Sequence, residues 1–289
     1  MRFAHGWHVS LLAGLLGLAA PASAAPQHVV SLMVCTDEYV YRLLPRERIA
    51  ALTYLAGDRS PVVSTLVDKV QGITMIHQNA ESVLALHPDL VVTYRYVNQK
   101  LHTILAAAGI PVLDLPWANS LAGIRKVTRL LGDRLGVRDR AEALLAEMDA
   151  KLAAAKAHAP KPPVATLVYE PNGYVTSDGV TNEILDAGGM RNAGPSMHQA
   201  RNGTVPVEMI AAAPPELLIL NDAREAEPAR ADLLLHHPAL TAIASRTTVV
   251  HVSLTPLLCP GPWSADVVAP LETLAQRARL RAAGSAHKE

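Results

Sequence analysis

The residues whose chemistry best suits ligand binding are tyrosines and tryptophans that follow the ends of predicted strands. Their rings combine a flat apolar face with a polar O–H or N–H group, which suits contact with a large organic ligand. In an open α/β sheet, ligands bind beyond the carboxyl ends of the strands, where these rings should lie. The candidate ligand contacts are Tyr54, Tyr94, Arg95, Tyr96, Trp117, Tyr174 and Trp263. Ordinary packing of aromatic side chains in loops is the alternative explanation.

Motifs for catalysis are missing from the sequence. It contains no Gly-x-Ser-x-Gly segment, no glycine-rich phosphate loop and no His-Glu-x-x-His pattern. The pairs Asp178–Gly179 and Gly188–Gly189 are typical of turns. We therefore expect a binding protein and no enzyme, with an exported α/β enzyme as the contrasting class.

Apolar runs of strand length alternate with helical patterns along most of the chain. Strands are predicted at 29–32, 48–53, 164–169 and 247–252, and residues 109–115 are typical of a helix stop followed by a strand. Helices are predicted at 98–108, 120–135, 138–158, 181–187 and 264–280. This alternation predicts an α/β fold with mainly parallel sheets.

One sequence pattern occurs twice, at residues 81–92 and 208–219. Both copies begin with glutamate and place a proline and an acidic residue directly before an apolar run. Each copy is typical of a short helix that ends before its proline and leads into a buried strand. Two such units predict two similar lobes with a cleft between them.

A long segment rich in alanine and leucine predicts the connection between the lobes. The helical pattern at 138–158 ends at a cluster of prolines. A helix is a stiff connection, so we expect modest lobe motion. The predicted division is an N-terminal lobe at 25–137, the connecting helix at 138–160 and a C-terminal lobe at 161–289.

The N-terminus has the pattern of a signal peptide. Arg2 precedes an apolar stretch that is shorter than the ~20 residues of a membrane span. Small residues then predict cleavage between Ala24 and Ala25. The residues before Cys35 do not form a lipoprotein box. We therefore predict a signal peptide at 1–24, a periplasmic protein and no membrane anchor.

The charges of the chain are balanced, with 26 basic and 26 acidic residues. A net charge near zero argues against nucleic acid or an anionic membrane surface as the main partner. We expect a monomer that binds a small molecule.

Cys35 and Cys259 are the only cysteines of the chain. In an oxidising compartment they predict an intramolecular disulfide. Two buried thiols, or a thiol that binds a soft metal, are the alternatives.

The order and spacing of several segments resemble those of the solute-binding proteins of ABC importers for iron complexes and cobalamin. The clearest matches are Ala85–Leu86–His87–Pro88–Asp89–Leu90, Gly109–Ile110–Pro111–Val112, the long helix and His237–Pro238–Ala239–Leu240. The resemblance covers nearly the whole chain after the predicted signal peptide. It implies two Rossmann-like lobes joined by one long helix, a ligand cleft between them, and a transmembrane permease with its ATPase as partner.

The resemblance also implies that one glutamate on each lobe meets arginines of the permease. Glu81 and Glu208, the first residues of the two repeat copies, match these positions. A carboxylate at a helix N-terminus is stabilised by the helix dipole, and simple first-turn acidic residues are the alternative explanation. Cys35 and Cys259 would each follow a strand at the cleft, so a disulfide there would limit opening.

The expected ligand is a metal-bearing organic complex, transported and not a resident cofactor. A ferric siderophore favours several basic residues, but only Arg95, Arg191 and Arg201 are near suitable loops. We therefore slightly favour a corrinoid, with a ferric siderophore or haem next. A bare Zn or Mn site is the alternative, for which only His77, His198 and Glu170 are conceivable ligands. No metal site is predicted.

Overall fold

A computed structural model describes residues 24–59, 63–95, 97–197, 203–222 and 230–286. The predicted signal peptide, apart from Ala24, lies outside these residues. The strands are β1 Val29–Ser31, β2 Ile49–Thr53, β3 Met75–Ile76, β4 Leu90–Tyr94, β5 Val112–Leu115, β6 Val164–Tyr169, β7 Met190–Asn192, β8 Leu217–Asn221 and β9 Thr248–Val252. The helices are α1 Val34–Leu43, α2 Ala80–Leu84, α3 Gln99–Ala107, α4 Leu121–Arg134, α5 Arg138–His158, α6 Gly179–Ala187, α7 Val207–Ala212, α8 Pro238–Ala242, α9 Thr255–Leu258 and α10 Val268–Ala286.

The N-terminal sheet is parallel, with strand order β3-β2-β1-β4-β5. Its central strand β1 pairs through Val29 with Leu90 of β4 and Ile49 of β2. All residues of β1 and β4 are buried because helices cover both faces of the sheet. The carboxyl ends of these strands therefore lie along one common edge.

The C-terminal sheet repeats this plan with the parallel strand order β7-β6-β8-β9. Strand β8 follows the second repeat copy and pairs with β6, as β4 follows the first copy and pairs with β1. The two repeat copies thus occupy equivalent positions. The predicted fold class, two α/β lobes with parallel sheets and a helical connection, is confirmed.

Helix α5 lies between the two sheets in the sequence and has exactly one buried stripe, formed by Ala141, Leu145, Met148, Leu152 and Ala155. The stripe packs against α4 on one side and against α6, α10 and the 3-10 segment Pro262–Val267 on the other. Buried residues of both sheets join the same apolar core around this helix. The two lobes are therefore braced by shared packing, while the lobe boundaries given above stay predictions.

A second connection joins α1 to the segment that precedes α10. Cys35 and Cys259 form a disulfide, as expected from the sequence, with their Cα atoms 4.8 Å apart. One turn further along α1, the hydroxyl of Tyr39 donates a hydrogen bond to the carbonyl oxygen of Pro260 at 3.0 Å. The lobes are thus joined by a covalent bond and a buried hydrogen bond at the same place.

Trp263 fills the centre of this junction and is only 3% exposed. The rings of Trp263 and Tyr39 pack edge to face, with their centroids 4.7 Å apart. The guanidinium of Arg42 lies 4.5 Å from the centroid of the indole. The indole N–H donates to the carbonyl of Cys259 at 2.8 Å. Aromatic and cation–π contacts of this kind add to the energy gained from burial of the ring.

Two buried carboxylates on α1 hold neighbouring loops. Asp37 accepts hydrogen bonds from the backbone N–H and the hydroxyl of Thr53, at the end of β2. Burial raises the pKa of Asp37 to about 7. Glu38 pairs with Arg42 and accepts from Ser64 at 2.9 Å. These two acidic residues therefore have structural roles.

Several elements differ from the sequence-based predictions. Strand β3 and strand β7 were not predicted, because two or three residues show no periodicity. The last helix begins at Val268 instead of Ser264, which lies in the preceding 3-10 segment and accepts a hydrogen bond from the Gly261 N–H at 3.2 Å. Among the described helices, none combines the length and apolar character that a membrane crossing requires.

Replacing Gly261 with alanine should destabilise the junction. A Cβ at this position would overlap the indole ring of Trp263, so the ring would have to leave its contacts with Tyr39 and Arg42. We expect Gly261→Ala to lower the free energy of unfolding by about 1–3 kcal/mol, as overpacked cores do, in urea unfolding without reductant.

Gly284→Ala is the matched control, because no atom lies within 4 Å of a Cβ at that helical position. It should leave the stability unchanged or slightly increased. Equal stability of Gly261→Ala and the unmodified protein would show that the indole packing contributes little.

Candidate ligand-binding site

A cavity of about 680 Å³ opens at the carboxyl edge of the N-terminal sheet. Its walls come from the residues that follow β1, β4 and β5, which the parallel order brings side by side. The lining residues are Met33, Tyr94, Arg95, Val97, Asp114, Leu115, Pro116 and Trp117. This volume is in the range of small-molecule sites.

Tyr94 and Trp117 form the aromatic wall of this cavity. Their ring centroids lie 5.4 Å apart with the planes tilted by 56°. Tyr94 is buried, and this burial raises the pKa of its hydroxyl well above the usual value. Trp117 is 57% exposed, so a large apolar ring faces the solvent without cover. An exposed ring backed by a buried one offers a stable surface for a flat ligand.

The polar part of the wall contains one cation and one anion. Arg95 is exposed at the end of β4, and Asp114 extends from β5. Oδ1 of Asp114 lies 2.9 Å from Nε2 of His102 on α3, and Nδ1 of His102 lies 3.2 Å from the carbonyl oxygen of Asn98. The hydrogen bond to Asp114 raises the pKa of His102 above its usual value.

Met33 contributes a flexible apolar surface at the start of α1. The side-chain amide of Gln78 contacts its sulfur at 3.4 Å, and the carbonyl of Gln78 accepts from the amide of Asn98 at 3.3 Å. These contacts connect the loops after β1, β3 and β4. Three strand ends are thus held together at the base of the cavity.

Tyr54 lies at the same edge of the sheet but outside the lining of this cavity. Its ring is 4.6 Å from the ring of His77, which follows β3. Both residues continue the carboxyl edge beyond Met33, because β2 and β3 lie next to β1. A ligand larger than the cavity would extend toward this pair.

Tyr174 belongs to the opposite lobe, on the loop that follows β6. It is half-exposed and forms an isolated bridge with Thr204. Loops of the two lobes meet nearby, since a Cβ at Gly179 would lie 3.7 Å from the carbonyl oxygen of Asn119. The disulfide between Cys35 and Cys259 joins the same edges of the two sheets. The carboxyl edges of both sheets therefore face one another.

Trp263, another predicted ligand contact, lies in the junction between the lobes and not in the lining of this cavity. Its indole is buried against Tyr39, Arg42 and Gly261. Tyr96 lies outside the described residues. Of the predicted contacts, Tyr94, Arg95 and Trp117 are brought together in one cavity.

The glutamates of the two repeat copies lie at equivalent places. Glu81 is in the first turn of α2 and Glu208 in the first turn of α7, and both side chains are exposed. Asn79 caps α2 by accepting from the backbone N–H of Ser82 at 2.8 Å. Their contact with a permease stays a prediction.

No group of three or more histidine, cysteine or acidic side chains within the described ranges is arranged to hold a metal ion. Of the conceivable ligands, His198 lies outside those ranges. Glu170 is held by hydrogen bonds from Thr176 and Asn221, and burial raises the pKa of its carboxyl group.

Sequence reasoning missed Met33, Asp114 and His102. Asp114 carried a usable signal, because a charged residue interrupts the apolar run of β5 at the end where ligands bind. The pairing with His102 had no such signal, since the two residues meet only when α3 packs on the sheet.

The description "periplasmic binding protein" is that of the family model that matches residues 56–249, more than half of the chain. The chain belongs to this family. The family and its fold are those of binding proteins, in agreement with the expectation of a binding protein.

Relatives of this periplasmic binding protein match only part of it. A cobalamin-binding protein of Halobacterium salinarum is 29% identical over 136 residues, 47% of this chain and 36% of that protein. An uncharacterized ABC transporter substrate-binding lipoprotein of Bacillus subtilis is 29% identical over 130 residues, 44% of this chain and 40% of that protein. The matches thus span less than half the length of these relatives.

Solved structures share the fold over most of the chain. The periplasmic haem-binding protein HutB of Vibrio cholerae has a TM-score of 0.69 at 18% identity, with 86% of this chain and 98% of that chain covered. The haem-binding protein RhuT of Roseiflexus has a TM-score of 0.66 at 21% identity, covering 87% and 98%. At this level of identity the likeness shows the fold alone.

The His102–Asp114 pair predicts a pH dependence that Asp114→Asn should remove. Because the pKa of His102 is raised in the folded state, its stabilising contribution is complete below the ordinary histidine pKa and is lost as pH rises through the raised value. We expect Asp114→Asn to lower the pKa of His102 in an NMR titration, and to cost more stability at pH 5.5 than at pH 8.5.

Asp133→Asn is the control, since it removes a carboxylate that pairs with Arg138, whose charge does not change in this range. Its effect on stability should be the same at both pH values. An unchanged His102 titration in Asp114→Asn would contradict the assigned hydrogen bond.

Proposed function

We propose that this protein is the substrate-binding component of an ABC importer and captures a metal-bearing organic complex in the periplasm. A corrinoid is slightly favoured, with haem or a ferric siderophore next. The protein would pass its ligand to an inner-membrane permease driven by an ATPase. Its mechanism is binding and release, without a chemical step.

The observation that carries this proposal is the exposed Trp117 ring packed on the buried Tyr94 at the mouth of a 680 Å³ cavity. Tryptophan and tyrosine are enriched where a protein surface contacts another molecule, because their rings combine a large apolar area with a polar group. Corrinoid and porphyrin rings present broad apolar surfaces that such a wall can cover. The edge of the ring would enter the cavity and the remainder would extend toward Tyr54 or Tyr174.

The charges of the cavity also fit this class. Arg95 and Asp114 balance one another, so the described lining offers no excess of positive charge. Ferric siderophore complexes with several negative charges would lack counter-charges here. The proposal is further supported by relatives and structural neighbours named as cobalamin-binding and haem-binding proteins.

The junction at Trp263 supports capture with little lobe motion. The disulfide and the shared core around α5 restrain the distance between the two carboxyl edges. A cleft that is already shaped loses less entropy when it binds a rigid ring. The permease would then have to release the ligand by acting on exposed loops at the cleft.

Replacing Trp117 with alanine should weaken ligand binding without unfolding the protein. The ring is largely exposed, so its loss removes a ligand contact and little core packing. We expect at least a tenfold increase in the dissociation constant, about 1.4 kcal/mol, for whichever of cyanocobalamin, haem or ferrioxamine B binds the unmodified protein. Isothermal titration calorimetry would measure it, because fluorescence would lose its reporter.

Leu280→Ala removes an apolar side chain of α10 that is even more exposed than Trp117, and this variant should bind the ligand as the unmodified protein does. If Trp117→Ala bound the same ligand with unchanged affinity, the cavity would not be the site. If none of the three ligands bound the unmodified protein, the proposed ligand class would be wrong.

Glu81→Ala combined with Glu208→Ala should separate capture from delivery. Both side chains are exposed in first helical turns at opposite lobes, where they would set the register on a permease more than add affinity. We expect unchanged ligand affinity and uptake reduced at least tenfold in proteoliposomes that contain the cognate importer.

Asp139→Ala serves as the control, because Asp139 is also an acidic residue in a first helical turn, that of α5. Uptake at the normal rate by the double variant would remove Glu81 and Glu208 from the docking surface.

A further inference from the structure

We propose that Asp114, positioned by His102, is a specificity-determining residue that selects rings with hydrogen-bond donors at their periphery over rings with carboxylates. This inference rests on the proposed function, because it concerns the ligand held by Tyr94 and Trp117. It adds a chemical criterion that distinguishes one macrocyclic ligand, such as a corrinoid or haem, from another.

The carboxylate of Asp114 lies where a ligand in the cavity can reach it. It extends from the carboxyl end of the edge strand β5, pairs in register with Thr93, and lines the cavity two residues before Pro116. Its side chain is 30% exposed, so the carboxylate is partly withdrawn from water and yet reachable by a ligand. A carboxylate in such a place interacts more strongly with a second charge than one in bulk water.

The two oxygens of the Asp114 carboxylate differ in their hydrogen bonding. His102 occupies Oδ1, and Nδ1 of His102 is itself held at the carbonyl of Asn98, the N-cap residue of α3. Within the described parts of the chain, Oδ2 of Asp114 has no hydrogen-bond partner. An ionised carboxylate only accepts hydrogen bonds, so Oδ2 can receive an amide N–H of a ligand but repels a carboxylate.

The charged side chains on the wall of the cavity also disfavour a ligand with two carboxylates. Arg95 is the one cationic side chain among the described lining residues. It can meet a single carboxylate of a ligand, and a second carboxylate would then face Asp114 without a counter-charge. A repulsive group of this kind provides specificity because it acts against the wrong ligand.

Two pairs of ligands separate recognition of the ring from recognition of its periphery. Iron protoporphyrin IX and its dimethyl ester share one ring, and cyanocobalamin and its monocarboxylate share another. Two methyl esters replace the two carboxylates in the first pair, and one carboxylate replaces one amide in the second. Dissociation constants are measured by quenching of Trp117 fluorescence and by calorimetry, at a pH above the pKa of His102.

The unmodified protein should bind the member with fewer carboxylates about tenfold more tightly in each pair that it binds. Asp114→Asn should bring this ratio close to one, mainly through tighter binding of the carboxylate-bearing member. Arg95→Gln should increase the ratio, because it removes the favourable charge. Asp133→Asn, the same change at a surface ion pair, should leave the ratio as it is.

His102 acts through Asp114, so its variants test positioning. His102→Gln retains an amide that can donate to Oδ1 and should preserve the ratio, whereas His102→Leu should reduce it. Equal ratios in the two variants would show that His102 does not position the carboxylate.

The outcomes distinguish this inference from the proposed function. An unchanged ratio in Asp114→Asn, with calorimetric affinity that still depends on Trp117, would overturn the role of Asp114 and leave the proposed function intact. Failure of all four probes to bind the unmodified protein would overturn this inference, and failure of ferrioxamine B as well would overturn the proposed function.

Discussion

The buried indole of Trp263 lies where the two lobes meet, and the placement of both sheets depends on its contacts. Tyr39 and Arg42 approach it from α1, while Gly261 leaves room for the ring on its own segment. The disulfide one turn away closes a loop of more than two hundred residues. Because packing and covalent linkage coincide, the carboxyl edges of the two sheets are held at a defined separation.

That constraint explains why the binding surface can be built largely on one lobe. Tyr94, Trp117 and Met33 follow three neighbouring parallel strands, so the backbone alone brings them within one cavity. In the proposed function, the opposite lobe would cover the ligand from its own strand ends. A rigid, flat ligand suits this arrangement, since neither partner must change shape greatly to form the complex.

The polar groups of the site have a different proposed role from the aromatic groups. Stacking on Trp117, as proposed, would favour any flat ring and would therefore provide affinity with little selectivity. Asp114 and Arg95 place opposite charges on the same wall, which under the proposal would distinguish rings by their substituents. The structural carboxylates of α1, Asp37 and Glu38, are by contrast enclosed by hydrogen bonds and take no part in the cavity. Position relative to the strand ends decides between the two roles.

Most elements and their repetition could be predicted from the sequence, because these depend on local periodicity. It placed α5 and β6 correctly to the residue and located Tyr94 and Trp117 at strand ends. The disulfide was expected from two cysteines in a chain with a predicted signal peptide. Tertiary packing, by contrast, makes Trp263 buried and Trp117 exposed, although both follow strands. The difference arises from contacts between residues more than two hundred positions apart, which no local pattern encodes.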